Sequence, residues 1–365
     1  MNYKTGLLTL VVIGIPLLIH PSLVLASTRM HGLRTLREMS QARNIKTLTV
    51  IRQAAKRGDP SAETTLGDMY EYGFGLVPQS YAKAATLYQK AAEQGYADAQ
   101  YRLGAVYMGN EGIPQDLRKS VSWLRKAAAG GIVIAQMYVA TEYMYGTMGV
   151  SRNLKEAARW YRKAAEHGDA DAQFDLGIMY SNAQGLTRDY RETVKWCRKS
   201  AEQGDDGGEW CLGASYELGN GVPQNYTEAV KWYRKAAEHG FPDAQYNLGK
   251  MYAAGHGVTQ SYTTAIKWYR EAADNDIATQ GCAGCADGQF ALGVIYANGY
   301  GVPQNYIDAY KWWVLAKADS NADASVSTRA ARYMTMLSSR MTPAEIAKAQ
   351  AAASIWFKAH ESPGN

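Results

Sequence analysis

The run GVPQNYTEAVKWYRKAAEHG, Gly221 to Gly240, is followed at once by FPDAQYNLGKMYAAG, Phe241 to Gly255, and together they decide the fold. The second run echoes ADAQYRLG at Ala97 to Gly104 and DAQFDLG at Asp171 to Gly177; the first echoes Gly149 to Gly168. A Leu-Gly pair marks the copies, with its glycine at Gly67, Gly104, Gly177, Gly213, Gly249 and Gly293. Successive spacings are 37, 73, 36, 36 and 44, and the 73 holds a copy in which Val139-Ala140 replaces Leu-Gly. A period near 36 is that of a helical repeat array.

Each copy divides into two helices. In the first, Ala99, Leu103 and Tyr107 recur at helical spacing and line one buried face. The marker glycine costs about 1 kcal/mol against Ala inside a helix, which the close approach of a partner helix would explain. A second glycine cluster such as Gly219-Asn220-Gly221 ends that helix with left-handed backbone. Pro223 cannot continue it. The second helix opens on Ser80, Asp116, Asn153, Asp189, Asn225, Ser261 and Asn305, all good N-caps. Glu156 and Glu228 stand three residues beyond Asn153 and Asn225, a capping-box pattern. His167 and His239 sit at the far end, where the helix dipole suits basic residues. The expected fold is all-α: an α/α right-handed superhelical solenoid of helix-turn-helix repeats.

The flanks differ from the middle. Lys4, the apolar run Leu7 to Ile19, and Val24-Leu25-Ala26 before Ser27 have the layout of a secretory signal peptide at residues 1–26, with an uncleaved anchor as the alternative. Residues 27–43 are an N-terminal segment, 44–60 a half-repeat, and 61–319 seven copies with an insertion near 277–285. Residues 320–365 are expected to cap the array, with Thr342 as N-cap, Pro343 at the first helical position, and Ile346, Ile355 and Trp356 as the docking side. Nothing after the leader is long and apolar enough to span a membrane. The expected location is periplasmic or secreted.

Composition agrees with a repeated, folded chain. Of 365 residues, 47% are hydrophobic and 20% charged, which excludes disorder. Tyr outnumbers Phe, 26 to 5, and Gly reaches 35, as when one motif is copied many times. The formal charge of +5 reads as a solvated surface; with export, no nucleic-acid partner is expected.

The strings LGxMY, GxGVPQNY and AxKWYRKAAExG resemble the Sel-one-like repeat family, a branch of the tetratricopeptide-like repeats, over about Asn44 to Asp319. The resemblance implies an adaptor that holds protein or peptide partners, often exported in bacteria, where some relatives are implicated in host-cell interaction or cell-envelope processes. A cysteine-rich subgroup implies the alternative of penicillin binding or weak β-lactamase activity. In related solenoids the first helices line the concave side. Positions two before, one after and five after the marker form one helical stripe, and they vary from copy to copy. The candidate binding residues there are Asp68, Tyr72, Arg102, Tyr138, Tyr145, Asp175, Asn182, Asn247 and Lys250. Trp210 lies outside the ladder of Trp123, Trp160, Trp196, Trp232, Trp268 and Trp312 and is a further candidate. The ladder itself fits packing between helices better than ligand binding.

Candidate chemistry is sparse. Ser80-Tyr81-Ala82-Lys83 spells the SxxK of β-lactamases, but Ser80 occupies the repeat-wide cap slot. The only KTG, Lys4 to Gly6, falls in the leader. Cys197 and Cys211 flank the turn at Gly204 symmetrically and are disulfide candidates, permitted in an oxidising compartment. Cys282 and Cys285 form a CxxC in the insertion: a local disulfide is expected, with a redox pair or half a zinc site as alternatives. No catalytic residues, cofactor or metal are expected. A self-assembling structural protein is a third reading.

Overall fold

The computed structural model describes residues 45–74, 76–109, 113–274, 283–318 and 324–360. These form seventeen α-helices and, among the described residues, no strand. After α1 (Ile45–Lys56), seven helix pairs follow. They are α2 (Pro60–Tyr72) with α3 (Tyr81–Glu93), α4 (Ala97–Tyr107) with α5 (Leu117–Ala129), and α6 (Val133–Tyr145) with α7 (Leu154–Glu166). Next come α8 (Ala170–Asn182) with α9 (Tyr190–Glu202) and α10 (Asp206–Leu218) with α11 (Tyr226–Glu238). The last two pairs are α12 (Pro242–Ala254) with α13 (Tyr262–Asp274) and α14 (Ala283–Asn298) with α15 (Tyr306–Ala318). Then α16 (Ala324–Ser338) and α17 (Pro343–His360) close the chain. The described residues within 45–172 and 184–187 form one compact unit, and those within 173–183 and 188–360 another. Within each, a helix packs against those before and after it, the arrangement of an α/α solenoid.

The marker glycine admits a side chain. A Cβ on Gly67 would lie 2.5 Å from the Tyr88 ring, and one on Gly213 2.6 Å from the Tyr233 ring. The same position meets Leu124 at Gly104, Cys197 Sγ at Gly177, Tyr269 at Gly249 and Trp313 at Gly293. One large group of the second helix thus sits over the missing Cβ of the first. Tyr88, Tyr233 and Trp313 are at most 2% exposed. The third copy departs: Ala140 stands at the marker position, and Thr141 Oγ1 meets the hydroxyl of Tyr161 at 3.2 Å.

All seven cap residues act as expected. Their side-chain oxygens accept a backbone N–H from the first turn, at Ser80, Asp116, Asn153, Asp189, Asn225, Ser261 and Asn305. The capping boxes at Asn153 and Asn225 do not close. The cap's own N–H donates instead to a tyrosine carbonyl near the end of the preceding helix, Tyr143 for Asn153 and Tyr216 for Asn225. Glu156 and Glu228 turn outward to Arg159 and Lys231. The residue before the cap helps too: Gln79, Gln115, Gln224, Gln260 and Gln304 donate through Nε2 to carbonyls at the end of the first helix. In the Ala-Gln pair of the first helix, Gln100, Gln136 and Gln245 donate to the Ala92, Ala128 and Ala237 carbonyls of the preceding helix. These side chains occupy the carbonyls that every helix end leaves over.

At the C-terminal end Thr342 and Glu345 do form a reciprocal capping box, with Thr342 N donating to Glu345 Oε2 at 2.8 Å and Glu345 N to Thr342 Oγ1 at 3.3 Å. The docking side of α17 is Ala349 and Ala353, both buried, with Ile346 and Trp356 partly buried beside them. Ile355 corrects the expectation: it is 68% exposed. It follows the buried Ala353 by only two residues, which turns it to the opposite face of the helix.

Gly213→Ala should therefore destabilise the protein by about 1–3 kcal/mol through overpacking against Tyr233, although Ala is the better helix former. Because the clash is with that ring, Gly213→Ala combined with Tyr233→Ala should cost less in thermal melts than the sum of the two single losses. Equal stability of Gly213→Ala and the wild type would remove the interlock as the reason for the glycine.

Candidate functional site

The stripe on the first helices is not uniformly open. Asp68 and Arg102 are buried and form an ion pair, Arg102 Nε to Asp68 Oδ1 at 3.3 Å. The Tyr88 hydroxyl donates to Asp68 Oδ1 at 2.6 Å, and it lies 2.7 Å from Glu71 Oε2. Burial raises the Glu71 carboxyl above its ordinary value, partly offset by Tyr88 and Arg102. Burial, then the charge of Glu71, raises the half-buried Tyr72 phenol as well. This network joins α2, α3 and α4 and holds three of the expected binding residues. Asp68 and Arg102 are corrected as exposed contacts: an ion pair this enclosed spends its donors and acceptors inside the protein.

Tyr138 is likewise buried, close to Glu142, whose carboxyl is raised by burial. Trp210 is buried too, and its isolation in the sequence was a matter of register. It stands three residues before the marker Gly213, the slot that holds Tyr101, Phe174, Tyr246 and Phe290 in other copies. Its ring packs 5.9 Å from Phe241. Tyr145 is 38% exposed. Tyr72, Asp175, Asn182, Asn247 and Lys250 are half-buried. Lys250 Nζ binds Glu217 Oε1 at 2.8 Å, and Glu217 Oε2 accepts from the Tyr233 hydroxyl at 2.7 Å. Glu71 and Glu217 thus do the same work in two copies. Both lie four residues after the marker and opposite a tyrosine, and that shared spacing was the signal available to find them.

Cys197 and Cys211 form a disulfide, with their Cα atoms 6.0 Å apart. Cys197 occupies the interlocking slot over Gly177, and Cys211 is a stripe position on the next first helix. The bond therefore joins α9 to α10 at the level where other copies use a ring. Beside it a cavity of about 20 Å³, room for one water, is lined by Ile178, Trp210, Ala214 and Leu218. Cys285 is disulfide-bonded; Cys282 and most of the insertion lie outside the described residues. Among the described residues no cluster of His, Cys, Asp and Glu could hold a metal ion.

The second helices carry the tryptophans, with Trp196 and Trp312 buried and Trp123, Trp160, Trp232 and Trp268 half-buried. A lysine covers each ring, from Lys126 Nζ 3.7 Å above Trp123 to Lys267 5.6 Å above Trp268. Such contacts contribute about 0.5–1 kcal/mol at exposed sites. The Ser80 hydroxyl accepts the backbone N–H of Lys83, while the Lys83 ammonium lies 5.2 Å from the centroid of Tyr70. No described helix is long and apolar enough to cross a membrane.

A family model described as Sel1 repeat matches seven segments, residues 60–96, 97–132, 133–169, 170–205, 211–241, 242–277 and 286–321. The chain is similar to the crystal structure of a protective antigen present in uropathogenic Escherichia coli strains, displaying an SLR fold. Identity is 34% and the TM-score 0.66, over 85% of this chain and 63% of that one, so the chain spans under two thirds of the antigen's length. It is similar also to a Sel1 repeat protein from Oxalobacter formigenes, at 32% identity and TM-score 0.58 over 80% of each chain. No curated protein matches the chain.

Two outcomes are expected. Arg102→Met should cost roughly 3–5 kcal/mol, because it strands a buried carboxylate; a loss under about 1 kcal/mol in denaturant unfolding would contradict the network. Asp243, whose Oδ2 is enclosed, is raised from 3.8 to about 7 by burial and then by the charge of Asp287. A raised carboxyl contributes stability that is full below its unfolded value and lost as pH climbs through about 7. Asp243→Asn should raise the melting temperature at pH 8 and progressively less as the pH falls toward 4. A gain independent of pH would contradict this assignment.

Proposed function

We propose that this chain, which belongs to the Sel1 repeat family, is an exported scaffold that holds a protein or peptide partner and transforms nothing. Sel1 repeats generally mediate protein interactions, and the family's proteins are typically non-enzymatic. The observation that carries the reading is the employment of the repeat's reactive side chains. Ser80 caps a helix, Glu71 and Glu217 receive tyrosine hydroxyls, and the cysteines at 197 and 211 are spent on a disulfide. What varies outward from copy to copy is surface, as in Tyr145 and Lys250.

Export is supported by the leader-like run before Ser27 and by a disulfide joining consecutive repeats, since such bonds persist in oxidising compartments. The similarity to a protective antigen of uropathogenic strains favours a location at or beyond the cell envelope, in a cell-envelope or host-interaction role. The β-lactamase alternative asks Ser80 to act as a nucleophile, whereas its hydroxyl accepts the Lys83 backbone N–H in the cap slot that Asn and Asp fill in other copies.

Mass spectrometry of the exported protein should find Ser27 as the first residue. The immobilised mature chain should retain a defined protein from an envelope fraction, and Tyr145→Ala with Lys250→Glu should weaken that retention at least fivefold. A chain that keeps its leader, or retains nothing beyond a scrambled-surface control, would sink the proposal. Ser80→Ala should leave nitrocefin turnover at background; a turnover that this substitution abolishes in folded protein would establish the enzyme instead.

A further inference from the structure

Along α7, Lys155, Arg159, Arg162 and Lys163 share one helical face and wall a groove of about 260 Å³. Its floor is apolar, Ala158 from the helix and Leu186 from the segment that follows α8, and Glu166 is its one acid. The groove has a cause in the sequence. Five residues after the cap, other second helices carry Val121, Val194, Val230 and Ile266, all buried. In α9, Val194 packs against Val222 and Trp232 and fills the equivalent space. At α7 the slot holds Ala158, 2% exposed, and the space stays open.

Both ingredients coincide only here among the described second helices. α9 repeats the four cations as Arg191, Lys195, Arg198 and Lys199, but over the larger Val194. α3 has the small residue, Ala85, but Ala82, Thr86 and Gln89 at three of the four cationic positions. The contacts of Arg159 and Lys163 lie at the surface. Arg159 meets Glu156 at 2.8 Å with its side chain 69% exposed, and Lys163 lies 4.0 Å above Trp160. Exposed pairs of this kind are worth little and exchange readily.

Resting on the scaffold reading, we infer that this groove is a docking site for an acidic peptide segment of a partner protein. Charge selects the occupant: Lys155, Arg159, Arg162 and Lys163 outnumber the carboxylates of Glu156 and Glu166, and the excess calls for anions. Size selects among anions. A groove under about 300 Å³ is smaller than the pockets that enclose drug-sized ligands, and it suits one or two side chains of a longer polypeptide. Glutamate matches both surfaces, its methylenes lying on Ala158 and Leu186 and its carboxylate reaching the guanidinium forks.

The test uses the full mature chain and a fluorescein-labelled peptide of alternating Glu and Ala, read by anisotropy against the same peptide with Gln for Glu. The acidic peptide should bind at least tenfold more tightly, and its affinity should fall steeply with salt. Ala158→Ile, which restores the size found in other copies, should weaken binding at least fivefold while leaving every charge and the melting temperature in place. Lys155→Gln with Arg159→Gln should do the same, and Arg191→Gln with Lys195→Gln in α9 should change affinity less than twofold. Equal binding of the two peptides overturns the inference, as does unchanged binding by Ala158→Ile. So does a preference for inorganic polyphosphate or anionic phospholipid vesicles with no peptide binding. The anisotropy assay is independent of partner capture: retention of a partner by Ala158→Ile protein that has lost the peptide leaves the scaffold standing and removes the groove.

Discussion

One contact governs the repeat: a large side chain of the second helix placed over a glycine of the first. A Cβ at Gly67, Gly104, Gly213 or Gly249 would fall within 2.7 Å of that side chain. The glycine weakens its own helix by about 1 kcal/mol, and the enclosed ring offsets that loss. A buried aromatic excludes a large apolar area from water, worth about 1.5–3 kcal/mol for a full side chain. Helix spacing and phase follow from this seat, because the ring can enter at one height only. Where the seat changes, the chemistry changes with it. Ala140 brings a Thr141–Tyr161 hydroxyl contact, and Cys197 brings a disulfide.

The preference for tyrosine over phenylalanine is explained by where hydroxyls are required. In the interlocking slot, Tyr88 and Tyr233 bond Asp68, Glu71 and Glu217. At the end of the first helix, Tyr216, Tyr252 and Tyr296 accept an arginine of the preceding repeat, Arg198, Arg234 and Arg270. The carbonyls of the same three residues receive the N–H of the next cap. At the first position of the second helix, Tyr81, Tyr226 and Tyr262 accept from Gln79, Gln224 and Gln260. The arginine and glutamine contacts lie at the surface; in the interlocking slot, phenylalanine would fill the volume and take a donor from the enclosed carboxylates. A buried polar group without a partner costs about 1–3 kcal/mol.

Individuality sits where a copy breaks the pattern. Arg102 turns a stripe position into a buried ion pair, Cys211 turns another into a disulfide, and Ala158 opens space that valine closes elsewhere. Arg102 and Ala158 leave the shared seat undisturbed, and the disulfide fills it with Cys197 Sγ over Gly177, so the array tolerates them. A partner reading such a surface meets differences between otherwise equal copies.

The helix pairs, their caps, the close approach at the marker glycine and the family were legible in the sequence. Each is local or recurs with the period, so seven copies repeat the same evidence. Burial was not legible. Helical spacing placed Asp68, Arg102, Tyr138 and Tyr145 on one stripe, but only the neighbouring helices decide that the first three are enclosed while Tyr145 reaches solvent. The capping boxes misled for the same reason. Asn153 and Glu156 have the right spacing, yet the carbonyl of Tyr143 on the preceding helix took the N–H that Glu156 was expected to receive. The Cys197–Cys211 pair could be placed at one height from the turn between them, whereas their facing each other depended on helix rotation. Periodicity along a chain sets which residues share a face; what lies against that face is set by packing between helices, which no single copy contains.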